Sequence, residues 1–276
     1  MVSIRGELKE YGLIPRKRWG QHFLVDRNVL NKVIRIAQVG EDDLVLEVGP
    51  GLGEMTLALA KKAKRVIAVE IDSKLAEVLR RKTVSDPNVE VIQEDILKID
   101  LDRYLRREER PIKVVANLPY QISTPLLFRF IDSRHLFSTL TLMLQKEVAQ
   151  RMVAVPGGKD YGPLSISVQL FSRPSIHFFI KPAAFFPPPK VESAVVHMVW
   201  RKEPIVQIQD EDWFKKVVRG VFGYRRKTLI NALRHSDLSL PNHVEAAMGK
   251  IGIDPKRRPE TLSIDEFASL ADILRR

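Results

Sequence analysis

The tetrapeptide Asn117-Leu118-Pro119-Tyr120 combines residue types that can hold an aromatic amine. An asparagine side-chain oxygen and a backbone carbonyl can each accept one hydrogen bond from an amino group whose lone pair is delocalised into a ring. Proline fixes φ at about −65° and cannot donate, so it can present a neighbouring carbonyl rigidly, while tyrosine offers a base an aromatic face. Asn and Pro are also common turn residues, so the tetrapeptide alone could be an ordinary turn. The residues that precede it in the chain decide whether it predicts a functional site.

A glycine-rich turn, Glu47-Val48-Gly49-Pro50-Gly51-Leu52-Gly53, lies between a predicted strand and a predicted helix. Glycines there allow a tight turn and the close approach of a ligand to the backbone, although an ordinary strand-to-helix loop would look similar. The spacing differs from the Gly-x-Gly-x-x-Gly of most dinucleotide sites, and the turn lacks the Gly-Lys-Ser/Thr of a phosphate loop. With Glu47 before it, the turn suits S-adenosylmethionine better than NAD.

Acidic residues follow the next two predicted strands. Glu70 ends the second strand, where a carboxylate accepts hydrogen bonds from ribose hydroxyls. Glu94-Asp95-Ile96 follows the third strand, where an acidic side chain can accept the adenine amino group and an apolar neighbour can pack on the ring. Because ligands bind at the carboxyl ends of the strands in an open parallel sheet, these strand ends predict a nucleoside-binding site.

Apolar patterning predicts the elements that position these residues. Apolar residues at helical spacing predict helices at 27–39, 54–63, 73–82 and 124–132, with Asp26 as the cap of the first. Short apolar runs predict strands at 44–48, 65–70, 89–92, 113–116 and 139–144, and two further segments, 174–180 and 194–200, predict a terminal hairpin around the Pro-rich loop 181–190. Strands that alternate with helices predict an α/β fold with a mostly parallel sheet.

The pattern changes after about residue 203, where alternating strands stop. Helices are predicted near 211–222, 226–235, 242–249 and 265–274. We therefore expect two domains, 1–203 with the nucleoside site and a small all-α domain at 204–276, with the boundary near 203–207.

The composition limits the chemistry. The 276 residues contain 45 Lys and Arg against 34 Asp and Glu, a net charge of +11, which suggests a polyanionic partner but also fits a merely basic soluble protein. The absence of cysteine excludes disulfides, zinc-thiolate sites and cysteine nucleophiles, and with them cytosine-C5 methylation and radical adenosylmethionine chemistry. The histidines are scattered, so no metal site is expected.

No stretch approaches the ~20 apolar residues of a membrane span, and the charged N-terminus is unlike a secretory signal. We expect a soluble cytoplasmic protein without a membrane partner. Three basic clusters, Arg16-Lys17-Arg18, Arg225-Arg226-Lys227 on a predicted helix and Lys256-Arg257-Arg258, would each be a solvated surface if taken singly. Together, beside a base-modifying site, they favour contact with an RNA backbone.

The motifs jointly resemble the ribosomal RNA adenine N6,N6-dimethyltransferases, a family of Rossmann-like class I methyltransferases. Its main branch modifies small-subunit RNA, and a sister branch methylates large-subunit RNA. The resemblance covers essentially the whole chain after about residue 15 and rests on these segments: Gly20-Gln21-His22-Phe23-Leu24, the glycine turn, Glu70, Asp95, Asn117-Leu118-Pro119-Tyr120 and Phe185-Phe186-Pro187-Pro188-Pro189-Lys190-Val191-Glu192-Ser193-Ala194-Val195-Val196.

The resemblance implies a role for each matched position. The residues implied to bind S-adenosylmethionine are Gln21, His22 and Leu24 on the methionine or ribose part, Gly49 and Gly51 near the methionine, Glu70 on the ribose, Asp95 and Ile96 at the adenine, and Asn117 at the reactive end. The implied catalytic residues are Asn117, Leu118, Pro119, Tyr120 and Phe185. A flipped adenine would stack between Tyr120 and Phe185, with Phe186 as a competitor for the second position.

The resemblance implies dimethylation of N6 of two adjacent adenosines in the loop of the 3′-terminal helix of small-subunit (16S) rRNA during ribosome biogenesis. The expected partner is small-subunit rRNA or the pre-30S subunit, contacted through Arg225, Arg226 and Lys227 of the helical domain, and the protein is expected to be monomeric. The alternatives are a large-subunit rRNA adenine methylase and a non-catalytic RNA-binding or ribosome-assembly factor on the same fold. A DNA adenine methylase fits less well, because those enzymes typically carry Asp-Pro-Pro-Tyr.

Overall fold

The computed structural model describes residues 4–16, 19–105, 111–238 and 244–275. The chain divides into two compact units: Met1–Ala149 with Pro174–Trp200, and Gln150–Arg173 with Arg201–Arg276. The division expected from the sequence differs in two respects, since it leaves Gln150–Arg173 with the catalytic part and places the boundary near 203–207 instead of after Trp200. No helix in the described ranges is long and apolar enough to cross a membrane.

The strands lie where the apolar runs predict them, with two short additions. Their bounds are β1 (Phe23–Leu24), β2 (Leu44–Val48), β3 (Arg65–Glu70), β4 (Val89–Gln93), β5 (Ile112–Asn117), β6 (Phe137–Gln145), β7 (Ser172–Ile180), β8 (Phe185–Phe186) and β9 (Ser193–Trp200). The main sheet has the order β4-β3-β2-β5-β6-β9-β7. Strands β4 to β6 run parallel, while β9 is antiparallel to β6. The predicted mostly parallel sheet and its terminal hairpin are confirmed.

The order of the sheet places the predicted site. Strand β2 lies between β3 and β5 in parallel register, so the turns that follow β2, β3, β4 and β5 emerge at one edge. All five residues of β2 are buried, as expected of a strand covered by helices on both faces. Strands β1 and β8, which the sequence does not predict, pair with each other, with Phe23 opposite Phe186 and Leu24 opposite Phe185.

Helices fill the connections. Their bounds are α1 (Ile4–Glu10), α2 (Arg27–Ala37), α3 (Glu54–Ala60), α4 (Ser73–Lys82), α5 (Leu101–Leu105), α6 (Ser123–Asp132), α7 (Lys146–Met152), α8 (Pro163–Phe171), α9 (Glu211–Phe222), α10 (Leu229–His235), α11 (Val244–Lys250) and α12 (Ile264–Leu274). The predicted cap of α2 is confirmed, because the Asp26 carboxylate accepts the N–H of Asn28 at 2.8 Å and of Val29 at 3.2 Å. The predicted helix 226–235 is wrong at its start, since α10 begins at Leu229.

The second unit contains a helix that the sequence analysis does not predict. Helix α8 buries residues on every side and packs against α9. Such a helix has no polar face, so its sequence lacks the amphipathic period that reveals a surface helix. Its need for apolar cover explains why residues 150–173 belong with the C-terminal helices rather than with the sheet.

Candidate active site

A partly enclosed cavity lies at the carboxyl ends of β2, β3, β4 and β5. It brings together all of the residues predicted to bind the cofactor and the whole tetrapeptide that follows β5. The predicted residues that line it are Gln21, His22, Leu24, Gly49, Gly51, Glu70, Asp95, Ile96, Asn117, Leu118, Pro119 and Tyr120. Phe185 is the predicted site residue of the first unit that is not among its lining residues.

The glycine turn needs glycine for both conformation and space. Gly51 has φ +59°, and a Cβ added there would lie 2.9 Å from the ring of Phe23. Phe23 belongs to β1, so the absence of a side chain at Gly51 lets the segment 19–24 close over the turn. The backbone N–H of Gly51 also donates to Glu70 at 3.1 Å, which joins the end of β3 to the turn.

Glu70 is buried at the end of β3 and has a supporting role that the sequence does not reveal. Its two carboxylate oxygens accept the backbone N–H groups of Gly51 at 3.1 Å and Asp72 at 2.9 Å. Burial raises the pKa of Glu70, and these hydrogen bonds oppose the rise. Glu70 therefore orders the loops on both sides of it, and its predicted contact with ribose would use the remaining lone pairs.

Glu47 is a second buried carboxyl group, which the sequence associates with the turn but not with the site. Thr56 donates its hydroxyl to Glu47 at 2.6 Å, and Glu47 lines the cavity. Burial raises its pKa to about 8; the Thr56 hydrogen bond lowers it, and the charge of Glu70 raises it further. The sequence signal that could have placed Glu47 in the site is an acidic residue within an apolar strand, just before the glycines.

Asp95 and Ile96 lie beside one another after β4, as predicted. The Asp95 carboxylate accepts the N–H of Leu97 at 3.0 Å and remains partly exposed, while Ile96 is buried. The two side chains thus offer a hydrogen-bond acceptor and an apolar surface on the same cavity wall. This pairing suits a heterocycle with an amino group.

The segment that contains Gln21 is fastened to the end of β3. The Gln21 side chain accepts the N–H of Arg16 at 2.7 Å and donates to Asp72 at 3.2 Å. Asp72 caps α4 by accepting the N–H of Lys74 at 3.0 Å. Gln21 therefore holds the segment against the cavity, and this holding role accompanies the cofactor contact predicted for it.

Asn117 is the last residue of β5, and its side chain points back to the segment 19–24. Its amide nitrogen donates to the carbonyl of His22 at 3.0 Å. This contact leaves the amide oxygen as the end that can accept a hydrogen bond from an amino group. The backbone N–H of Leu118 donates to Met143 at 2.9 Å, so the tetrapeptide begins from a fixed position beside β6.

Tyr120 has contacts on two sides. Its hydroxyl hydrogen-bonds to that of Ser193 at 2.6 Å, and its ring centroid lies 5.4 Å from that of His22, with the planes inclined by 30°. Burial raises the pKa of Tyr120, while the bond to Ser193 lowers it. The His22 ring in turn donates from Nδ1 to the Pro187 carbonyl at 2.7 Å.

Phe185 does not lie on the cavity. Its side chain is 3% exposed and packs in the hydrophobic core with Leu30 and Ile180. Phe186, the competitor, is half-buried and packs against the cluster that contains Phe23. The alternation of a strand explains this, because neighbouring residues of β8 point to opposite faces. A base could touch the Phe185 ring only after a local rearrangement, and the stacking role stays a prediction.

The basic cluster Arg225-Arg226-Lys227 lies in a turn rather than on the predicted helix, because α9 ends at Phe222 and α10 begins at Leu229. Arg225 is half-buried and donates to the Gly158 carbonyl at 3.0 Å. Lys227 donates to the His235 ring at 2.7 Å. Arg226 is exposed and is the member best placed to meet a partner.

The other two basic clusters contain Arg16 and Arg257, whose side chains contact neighbouring residues. Arg16 packs over the Trp19 ring at 4.5 Å, and Lys17 and Arg18 lie outside the described residues. Arg257 is paired with Glu266 through both terminal nitrogens of its guanidinium group, whereas Lys256 and Arg258 are exposed. One member of this cluster therefore supports the fold instead of facing solvent.

Comparisons with known proteins agree with this geometry. A profile of the family described as ribosomal RNA adenine dimethylase matches residues 14–276. The chain belongs to this family. Ribosomal RNA small subunit methyltransferase A of Geobacter metallireducens is 48% identical over 97% of each chain, and that of Moorella thermoacetica is 46% identical over 97% of this chain and 95% of its own.

Solved structures of the ribosomal RNA adenine dimethylase type match as well. A dimethyladenosine transferase from Plasmodium falciparum superposes with a TM-score of 0.76 at 28% identity, over 90% of this chain and 96% of its own. The 23S rRNA methyltransferase ErmE superposes with a TM-score of 0.67 at 26% identity, over 91% and 99%. The predicted Rossmann-like methyltransferase fold, enzyme class and dependence on S-adenosylmethionine are confirmed at the level of the family.

The lining residues fit that cofactor. Five acidic residues, Glu47, Glu54, Glu70, Glu94 and Asp95, line the cavity, and S-adenosylmethionine carries a sulfonium and an ammonium group that the ionised carboxylates of this lining attract. The positive φ of Gly49, +66°, keeps the turn free of side chains on the cavity side. The donors and acceptors present therefore suit a cationic nucleoside.

Proposed function

We propose that this protein dimethylates N6 of two adjacent adenosines in the loop of the 3′-terminal helix of small-subunit rRNA, with pre-30S subunits as its substrate in the cytoplasm. The observation that carries the proposal is the meeting of Asn117 and Tyr120 with the nucleoside-binding strand ends in a single cavity. The small-subunit branch is favoured over the large-subunit branch by relatives 48% and 46% identical over nearly their full length, both named small-subunit methyltransferases.

The cofactor is held by the residues at the strand ends. Asp95 would accept the adenine amino group beside Ile96, Glu70 would accept the ribose hydroxyls, and Gly49 and Gly51 would allow the methionine part to approach the backbone. Gln21, His22 and Leu24 would cover the ligand from the other side. When bound, S-adenosylmethionine supplies a methyl group made electrophilic by its positively charged sulfur.

The acceptor amine is held by the residues after β5. The Asn117 amide oxygen accepts one N–H, since its nitrogen is engaged with the His22 carbonyl at 3.0 Å. The carbonyl of Leu118, which precedes a proline and so belongs to a peptide without an N–H, accepts the other. Two such acceptors pull the amine hydrogens aside, so that the nitrogen lone pair is available for attack.

Orientation and dipoles carry the rate enhancement. Methyl transfer would form the N–C bond, break the bond between the methyl carbon and the sulfonium sulfur, release S-adenosylhomocysteine, and leave a cationic amine that loses its proton to water or a carbonyl. A dedicated general base is therefore unnecessary. Holding the reacting atoms in place can contribute about 7–11 kcal/mol, and the oxygens of Asn117 and Leu118 stabilise the positive charge that develops on nitrogen.

We assign RNA recognition to the helical region, 204–276, of a protein that acts as a monomer. Arg226, Lys256 and Arg258 are exposed cations of the second compact unit, and neutralised phosphates are the main source of affinity for RNA. The net charge of +11 supports a polyanionic partner.

A labelling assay tests the proposed function. The protein is incubated with methyl-labelled S-adenosylmethionine and either small subunits or large-subunit RNA from an unmethylated strain, and the RNA is digested to nucleosides. We expect label in N6,N6-dimethyladenosine from small subunits, and none with the Asn117→Ala variant. Label in dimethyladenosine from large-subunit RNA alone would assign the protein to the sister branch, and label only in cytosine or guanine would end the proposal.

A further inference from the structure

We propose that the proline-rich segment 187–193 positions Tyr120 through two hydrogen-bonded links, Ser193 to the Tyr120 hydroxyl and Pro187 to the His22 ring that lies against Tyr120. This inference rests on the proposed function, because it assigns Ser193 and His22 as positioning residues of the acceptor pocket. It also gives His22 a second role beside the proposed cofactor contact, as a support for the base-stacking ring.

The link through Ser193 is direct and shielded from water. Ser193 is 1% exposed at the first residue of β9, and its hydroxyl lies 2.6 Å from that of Tyr120. Strand β9 is paired in full register with β6, with Ser193 opposite Gln145. The Tyr120 hydroxyl is therefore anchored to the sheet itself, which fixes the far end of a side chain that would otherwise rotate about χ1 and χ2.

The link through His22 acts on the face of the ring. The His22 Nδ1 donates to the Pro187 carbonyl at 2.7 Å, which fixes the plane of the imidazole. The centroid of the imidazole lies 5.4 Å from that of the Tyr120 ring, with the two planes inclined by 30°, which is within the separation of about 4.5–7 Å typical of interacting aromatic rings. Because the carbonyl of His22 also accepts from Asn117 at 3.0 Å, one residue touches both groups proposed to hold the adenine.

The segment can exert this constraint because it is held independently of Tyr120. Phe185 and Phe186 pair with Leu24 and Phe23 as strand β8, and Phe185 is buried in the core. Phe185 thus anchors the start of the segment and β9 anchors its end. Between these two anchors, the segment presents the Pro187 carbonyl to His22 and the Ser193 hydroxyl to Tyr120.

Loss of these links to Tyr120 should change the rate of methyl transfer rather than the affinity for the cofactor. A stacking ring that is misplaced by about 1 Å can cost about 100-fold in rate, while Ser193 is not among the residues that line the cofactor cavity, so its loss should leave cofactor binding unchanged. The second methyl transfer, to a bulkier monomethylated amine, demands the more accurate placement. Loss of either link should therefore lower kcat and increase the share of N6-monomethyladenosine among the products.

A double-mutant cycle on Ser193 and Tyr120 tests the direct link. We expect Ser193→Ala and Tyr120→Phe each to lower kcat on small subunits about 10- to 100-fold, with a higher monomethyl to dimethyl ratio and an unchanged Kd for S-adenosylmethionine. The double variant should be no slower than the slower single variant, because each change removes the same hydrogen bond. Additive losses would overturn the proposal, as would a Ser193→Ala variant with the wild-type rate and product ratio.

Matched controls separate positioning from folding and from the proposed function. Ser138, at the other end of β6, has a buried hydroxyl without a hydrogen-bond partner, so Ser138→Ala should leave rate and product ratio unchanged. For the second link, His22→Phe keeps a ring against Tyr120 but deletes the bond to Pro187, and we expect the same product shift. If the wild-type protein methylates no adenosine, the proposed function itself is wrong. If the wild type is active but the losses of kcat in Ser193→Ala and Tyr120→Phe add up in the double variant, only the positioning role is wrong.

Discussion

The side-chain nitrogen of Asn117 donates to the backbone carbonyl of His22 across 3.0 Å, and this contact decides which end of the amide faces the substrate. The two residues are far apart in sequence, yet the contact joins the end of β5 to the segment that closes over the cavity. This hydrogen bond gives Asn117 a role beyond that of a turn residue, because it orients the amide oxygen before any substrate binds.

Replacing Asn117 by aspartate tests this orientation. A carboxylate has no N–H for the His22 carbonyl, so the two oxygens repel and the side chain turns away. We expect Asn117→Asp to lower kcat about 100- to 1,000-fold, measured as initial rates of methyl transfer to small subunits. As a control, Asn88→Asp removes a similar amide that donates to Ala60 and Ala63 at 2.8 and 3.0 Å, away from the cavity. If both variants lose activity per folded molecule equally, orientation by His22 is not the cause.

Replacing Gly51 by alanine tests the packing of the turn against Phe23. Gly12 and Gly51 have nearly the same φ, +60° and +59°, but a Cβ would meet nothing within 4 Å at Gly12 and the Phe23 ring at 2.9 Å at Gly51. Gly12→Ala should therefore cost only the left-handed strain of about 1–2 kcal/mol. Gly51→Ala should cost about 1–3 kcal/mol more through overpacking.

The measurements for this pair are urea unfolding and cofactor binding. Because the added methyl group pushes the segment 19–24 off the turn, Gly51→Ala should also weaken the Kd for S-adenosylmethionine about 10-fold or more, whereas Gly12→Ala should leave it unchanged. An equal effect of the two substitutions on stability and binding would show that backbone strain alone matters.

The buried carboxyl group of Glu47 should make stability depend on pH. Its pKa in the folded protein is raised to about 8 from the ordinary value of 4.5, chiefly by burial. Between these values the folded state keeps a proton that the unfolded state releases, so the contribution of Glu47 to stability is fully present below pH 4.5 and is lost as the pH rises through about 8. Glu47→Gln stays neutral throughout and can still accept the Thr56 hydroxyl.

Thermal or urea unfolding at pH 5 and pH 8.5 checks this expectation. The stability of Glu47→Gln relative to wild type should increase from the lower to the higher pH. Glu41→Gln, which neutralises an exposed carboxylate, should show no such trend. A constant difference between Glu47→Gln and wild type across this range would mean that Glu47 ionises at the same pH in both states.

The basic turn after α9 should divide into one structural and one RNA-contacting arginine. Arg226→Ala removes an exposed cation, so we expect weaker RNA binding, a log–log salt slope reduced by about 0.7–0.9 and unchanged stability. Arg225→Ala removes a half-buried donor to Gly158, so we expect a lower unfolding midpoint. Filter binding at several salt concentrations and thermal unfolding distinguish the two. Identical salt slopes for wild type and Arg226→Ala would contradict RNA contact by Arg226.

The parts of the fold that the sequence predicts are those with a strong local period. Strands β2, β3 and β5 are apolar runs of five or six residues, and α2 and α4 have amphipathic faces with aspartate caps. The elements absent from the sequence prediction lack such signals. Helices α1 and α7 have seven residues each and α5 has five, β1 and β8 have two residues each, and α8 is buried on every side.

The candidate site shows the same division. The sequence by itself determined which residues could hold a nucleoside and an amine, because strand-end positions after β2, β3, β4 and β5 meet at one edge of any parallel sheet. Only the tertiary structure decided that Phe185 is buried, that Arg225 donates to the Gly158 carbonyl, and that Ser193 and His22 contact Tyr120. Those outcomes depend on the order of strands in the sheet and on the face to which each residue points. The local residue pattern does not encode such contacts. Tyr120 and Ser193 lie 73 residues apart in the chain, and His22 and Pro187 lie 165 residues apart, so each pair meets only when the whole sheet has formed.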